Sequence, residues 1–114
     1  MIFGGHSTAH GLRPQGAAPV HPGASTWCLG TGPACTATSP DGRRHVVILG
    51  LCGASDFELR CLAGATTPCD IEWRWPGTYA VVEESLAAII VHTDPSAAFP
   101  VYATRWSNGW AWST

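Results

Sequence analysis

At 114 residues the chain has room for one real hydrophobic core, and 46% apolar against only 12% charged residues excludes a disordered polypeptide. A formal net charge of −2 leaves no basic footprint for nucleic acid, and Arg43-Arg44, the longest basic run, is too little for an anionic lipid surface. No stretch reaches the roughly 18 apolar residues of a membrane span, and the N-terminus lacks the basic and apolar regions of a secretory signal.

The missing signal favours a cytoplasmic or virion location over secretion. The chain contains no lysine, so arginine carries every fixed positive charge, and Ala, Gly and Pro are abundant. That usage points to a high-GC source and is silent on mechanism.

Residues 1–26 carry Gly4-Gly5, Pro14, Gly16, Pro19, Pro22 and Gly23 and offer little to bury beyond Ile2 and Phe3. They read as an extended, irregular Gly/Pro-rich arm. Residues 27–114 read as a single β domain. Two stretches resemble each other: Cys28-Leu29-Gly30 leads through Pro33 to Cys35, and Cys61-Leu62-Ala63-Gly64 leads through Pro68 to Cys69. Each is followed by a Pro-containing turn and a Val-Val pair, Val46-Val47 and Val81-Val82. A duplication and a chance alignment of common residues both remain open.

The most apolar run, Val46-Val47-Ile48-Leu49, is entered through Pro40-Asp41-Gly42. Its β-branched residues suit a strand, and the lack of alternation predicts a central strand covered on both faces. Pro presets φ, Asp can bond its own backbone, and Gly accepts positive φ, so the tripeptide predicts a turn. Ile71-Glu72-Trp73-Arg74-Trp75 alternates as a half-buried strand. Residues 78–93 admit a helix, because Val82, Leu86, Ile89 and Ile90 follow its spacing, or two strands joined near Glu83-Glu84-Ser85; the β-branched pairs favour strands.

The C-terminus predicts a hairpin. Residues 101–106 and 110–113 flank Asn108-Gly109, the strongest two-residue turn signal. With those two at the turn centre, Arg105 faces Trp112 and stacks on it, Arg105, Trp110 and Trp112 share one face, and Trp106 points to the core from the other.

Candidate chemistry is sparse. Cys28/Cys35 and Cys61/Cys69 bound short loops and admit two local disulfides with Cys52 left free and buried; five reduced thiols are the alternative, favoured by the absence of an export signal. No Cys-x-x-Cys occurs. His6 and His10 are four apart in Gly/Pro-rich surroundings that disfavour the helix a metal site there needs, with His21 further along, and no metal or other cofactor is expected. His45 and His92 read as structural. Groupings such as Cys52–His92–Asp94 or Ser55–His92 have no spacing that selects them, and no nucleophile elbow or phosphate loop is present, so no catalytic residue is assigned. Glu83 and Glu84, adjacent on a strand, point to opposite faces.

Six tryptophans remain, most of them on expected strands. Core packing accounts for several. Arg105, Trp110 and Trp112 are the expected interaction surface, since Trp and Arg are favoured anchors at protein contacts. The expected fold is a small all-β sandwich or partly open barrel built from hairpins. The expected function is a non-enzymatic structural or interaction module, such as a subunit of a phage virion, with protein partners or copies of itself. The alternative is a carbohydrate-binding module stacking glycan rings on Trp110 and Trp112; a small Cys/His enzyme is the weaker third.

Overall fold

The computed structural model describes residues 1–8, 13–65 and 75–114. The fold is all-β, as expected: nine strands in two antiparallel sheets, with one short helix, among the described residues. Its contacts divide the chain into two compact units, Pro33–Phe99 and a second unit made from both ends of the chain, Met1–Gly32 with Pro100–Thr114.

In the end-built unit, β1 (Ile2–His6), β2 (Ala18–Pro19) and β3 (Trp27–Leu29) precede the insertion. The last two strands of the chain, described below, complete a five-stranded sheet in which β1 is central. This corrects the expectation of an irregular arm: Phe3 is fully buried, and β1 pairs on both sides. The misleading residues were Gly4 and Gly5. They do not break the strand; they seat two indoles. A Cβ on Gly4 would lie 2.3 Å from Cζ2 of Trp27, and one on Gly5 would lie 2.7 Å from Nε1 of Trp112. Successive strand residues face opposite ways, so the two rings lie on opposite faces of the sheet. Residues 13–26 are irregular apart from the two-residue β2, in keeping with their Gly and Pro content.

The inserted unit is a meander, β4 (Ala34–Thr38), β5 (Arg44–Cys52), β6 (Gly77–Ser85) and β7 (Ile89–His92), with helix α1 (Asp56–Gly64) between β5 and β6. The β4–β5 turn forms as its residues predict. Asp41 Oδ1 accepts from Ser39 Oγ at 2.6 Å and from Arg43 N at 3.0 Å, and Gly42 takes φ 73°. Those hydrogen bonds, Ser39 first, hold the Asp41 carboxyl below its ordinary pKa. Strand β5 is the buried centre: Val46, Val47 and Leu49 are 0% exposed and Ile48 1%. One face, Val46 and Ile48, packs with Leu59 and Ala63 of α1 and with Tyr79 and Val81 of β6.

Residues 78–93 resolve as two strands, β6 and β7, joined at Ser85–Ala88, where Ala88 N donates to Ser85 Oγ at 3.2 Å. The Val-Val pairs are neighbours in one ladder, Val47 opposite Val82 and Ile48 opposite Val81. The other halves of the two stretches differ outright, since Cys28 and Leu29 lie in β3 while Cys61 and Leu62 lie in α1. Helix α1 was not anticipated. Ser55 caps it and Glu58 reaches back to Ser55 N at 2.8 Å, completing a capping box. The expected strand at 71–75 lies outside the described residues except for Trp75, whose ring centroid is 6.3 Å from that of Tyr79.

The insertion starts and finishes at one place. Gly50 N donates to Pro33 O at 2.9 Å, and a Cβ on Gly50 would lie 3.0 Å from Cε2 of Phe99.

Candidate functional site

The terminal hairpin consists of β8 (Tyr102–Trp106) and β9 (Gly109–Ser113), with β8 at the sheet edge. Its turn is one residue earlier than predicted. Trp106 pairs with Gly109, so Ser107 and Asn108 are the centres, and Ser107 takes the positive φ, 54°, that primed hairpin turns need at their first centre. The register therefore sets Arg105 opposite Trp110 and Ala103 opposite Trp112. The predicted Arg105–Trp112 stack is replaced by Arg105 over Trp110, with Cζ 5.9 Å from the ring centroid.

Moving the turn by one residue slides the pairing by two, and a slide of two keeps every side chain on its face. Arg105, Trp110 and Trp112 do share one face, and Trp106 has the other. Exposure runs differently from the expectation. Trp112 is only 8% exposed, its ring laid over Gly5, while Trp110 is 52% and Trp106 42% exposed. Trp106 is thus not a core residue, and Trp112 does not belong to an open surface. All five residues of β8 are exposed.

On the Trp106 face one row crosses four strands, Trp27, Gly4, Ser113 and Tyr102. The next row holds His6, Ala111 and Thr104. Small residues on β1 and β9 make a floor between Trp27 on one side and Tyr102 on the other, and a groove of about 370 Å³ opens there. The sequence signal for it was the coincidence of small residues on β1 and β9 with aromatics on the strands flanking them, β3 and β8, invisible until the register was known.

In the inserted unit β5, β6 and β7 bring Arg44, Glu83 and His92 together. Glu83 is 4% exposed, accepts from His92 Nε2 at 2.7 Å and pairs through Oε1 with Arg44 Nη2. Arg44 Nη1 donates to the carbonyls that end α1: Leu62, Ala63 at 3.1 Å and Ala65 at 3.2 Å. Burial pushes the His92 imidazole below its ordinary pKa, and the Arg44 guanidinium adds to the push. The guanidinium thus links a buried carboxylate to a helix C-terminus, where positive charge is favoured.

The catalytic groupings written from sequence are not assembled. Register places Cys52 four residues along and two strands across from His92, roughly 17 Å away. Ser55 is engaged in the helix cap, and both oxygens of Asp94 accept from Ser96 Oγ at 2.8 Å. Cys28, Cys35, Cys52 and Cys61 are free thiols, so Cys28 and Cys35 are not bridged; Cys69 lies outside the described residues. Burial raises the Cys52 thiol pKa. Among the described residues no group of three or more His, Cys, Asp or Glu is arranged to hold a metal, and His10 lies outside them. No described helix is long and apolar enough to cross a membrane.

No protein-family model, curated protein or solved structure matches the chain.

Proposed function

We propose that this chain is a non-enzymatic interaction module, a subunit of a larger assembly that docks through its terminal hairpin. The observation that carries the reading is β8, a sheet-edge strand exposed along its whole length and bearing Tyr102, Arg105 and Trp106. Edge strands in soluble proteins are blunted by charged side chains, Pro, bulges or covering segments, and the one charge on β8, Arg105, is drawn over Trp110. The β8 sequence YATRW contains neither lysine nor proline, and it pairs with β9 without a bulge. Trp110, beside Arg105, extends the aromatic surface around the turn. A virion component is the form of this reading that the low-charge, lysine-free composition suggests.

Size-exclusion chromatography with mass measurement tests it. The native chain should run as an oligomer, and Trp106→Ala with Trp110→Ala should reduce its mass while unfolding stays cooperative. A monomer whose behaviour ignores both substitutions refutes the reading.

A second reading, glycan binding, is favoured by the groove between Trp27 and Tyr102. The exposed Tyr102 ring beside a floor with Ser113 and Thr104 hydroxyls suits a sugar's apolar face and its hydroxyl groups, with the buried Trp27 as the far wall. It moves the site from Trp110 and Trp112 to the opposite face of the sheet. A monomer whose tryptophan fluorescence titrates with glycans, and no longer does so in Tyr102→Ala, would support it.

A further inference from the structure

The free edge of β8 has a fixed hydrogen-bonding pattern. A two-residue turn closes on a hydrogen-bonded pair, here Trp106 with Gly109, and bonded and non-bonded pairs then alternate along the ladder. Trp110 obeys the alternation: its N–H donates to Ser7 Oγ at 2.8 Å and its carbonyl accepts from Ser7 N at 2.8 Å, both away from β8. Its partner Arg105, and Ala103 two residues before, therefore turn their N–H and C=O groups outward from the sheet. Tyr102, Thr104 and Trp106 turn theirs towards β9. A strand laid along this edge must bond to Ala103 and Arg105.

We infer that the strand laid there is β8 of a second copy, antiparallel about a two-fold axis at Thr104, joining two five-stranded sheets into one. This rests on the reading of the chain as an assembly subunit. About that axis Ala103 faces the partner's Arg105 as a hydrogen-bonded pair, matching outward groups with outward groups. Thr104 faces the partner's Thr104, and Tyr102 the partner's Trp106. These are non-bonded pairs, in which Cα atoms approach to about 4.5 Å and side chains meet most closely. Aromatic pairs and Thr–Thr pairs are favourable cross-strand combinations, whereas like charges directly opposite are not. The strand's one charge, Arg105, sits against alanine and stays over its own Trp110. An axis at Arg105 would set two guanidiniums opposite each other, and one at Ala103 would leave Trp106 beyond the partner strand. The strand is thus complementary to itself in one register, as a two-fold contact requires. Five residues from each chain bury less than the roughly 1,200 Å² of a stable interface. The pairing is therefore reversible and concentration-dependent, and further contacts in a larger assembly would reinforce it.

Light scattering during size-exclusion chromatography of the full chain tests the pairing. The mass should rise from one chain towards two as concentration increases. Ala103→Pro removes an outward N–H without touching the ladder to β9, at an edge position where proline is tolerated; it should hold the chain monomeric. Thr104→Lys sets two like charges opposite and should do the same, which keeps the test intact if the proline variant fails to fold. Oxidised Thr104→Cys should link to its own copy at position 104, identified by peptide mass spectrometry against the native-cysteine background. Ala103→Cys and Arg105→Cys should not link to themselves. An oligomer that survives both Ala103→Pro and Thr104→Lys overturns the edge pairing and leaves the subunit reading standing. A chain monomeric at every concentration overturns both.

Discussion

Replacing Arg44 with methionine isolates the energetics of the buried cluster. Methionine keeps most of the side-chain volume and removes the guanidinium from Glu83, whose side chain is 4% exposed, and from the carbonyls of Leu62, Ala63 and Ala65. Removing one member of a buried ion pair costs about 3–5 kcal/mol, because the remaining charge stays desolvated. Two features of the site pull this towards the lower end. Arg44 is itself 17% exposed, so water can reach part of the vacated space, and His92 can protonate to compensate Glu83. The orphaned helix carbonyls pull the other way, since bonds from charged donors contribute about 1.5–3 kcal/mol. The expected loss is therefore about 3–4 kcal/mol, a large share of the 5–15 kcal/mol typical of a whole domain. Urea unfolding followed by tryptophan fluorescence reads it as a midpoint shift of roughly 2 M or more, with a slope near 1–2 kcal/mol/M. The double variant Arg44→Met, Glu83→Leu removes both charges and should recover much of the loss, as buried pairs replaced by apolar side chains do. A single-variant loss under about 1 kcal/mol, or a double variant as unstable as the single, would refute the claim that Glu83 is ionised and dependent on Arg44.

The lowered His92 pKa has a signed consequence for pH: the unfolded chain binds the proton more readily than the folded one, so stability should hold above about 6.5 and fall as pH drops below it. Unfolding midpoints between pH 8 and pH 5 check this, and His92→Gln should flatten the slope in that window. Ser107 holds φ 54° without being glycine, a conformation that costs an L-residue about 1–2 kcal/mol. Ser107→Gly should leave stability unchanged or raise it by up to about 1 kcal/mol after the entropic cost of glycine; a clear loss in urea unfolding would show that the serine side chain makes a contact worth more than the strain. Thiol labelling of the native chain should modify the exposed Cys35 and Cys61 before Cys52, whose thiolate is disfavoured by burial, and the difference should vanish in denaturant.

What the sequence revealed was local and apolar. Val46–Leu49 announced a central strand because a run with no polar position needs cover on both sides, and Pro40-Asp41-Gly42 announced its turn because each residue has its own conformational reason to be there. What stayed hidden depended on partners distant in sequence. Gly4-Gly5 looks like a chain-breaker until Trp27 and Trp112 are brought to either side of it. Helix α1 did carry a legible signal, Ser55-x-x-Glu58 ahead of Leu59, Leu62 and Ala63, but the likeness of Cys61-Leu62 to Cys28-Leu29 masked it. At the hairpin the faces were readable and the coverage was not, because alternation fixes which residues share a side while neighbouring strands decide which side is filled. The Arg44–Glu83–His92 cluster had one sequence-level hint, a carboxylate directly following the apolar Tyr79–Val82. Its partners come from β5 and β7 through register alone.

The insertion of Pro33–Phe99 between strands β1–β3 and strands β8–β9 sets an order of events during synthesis. Strand β1 is made before the insert and its partner β9 after it, and Thr114 N reaches back to Phe3 O. At about 5–20 residues per second, β1 stays without that partner for as long as the insert takes to be made. The inserted meander has its strand partners close in sequence and can form first. Since Pro33 and Phe99 both reach Gly50, a folded insert ties its own ends together and shortens the loop that β1 and β9 must close by more than half. That spares on the order of 1 kcal/mol of closure entropy. A variant that weakens only the insert, such as Arg44→Met, should therefore slow the joining of the two termini as well, although no residue of their sheet has changed.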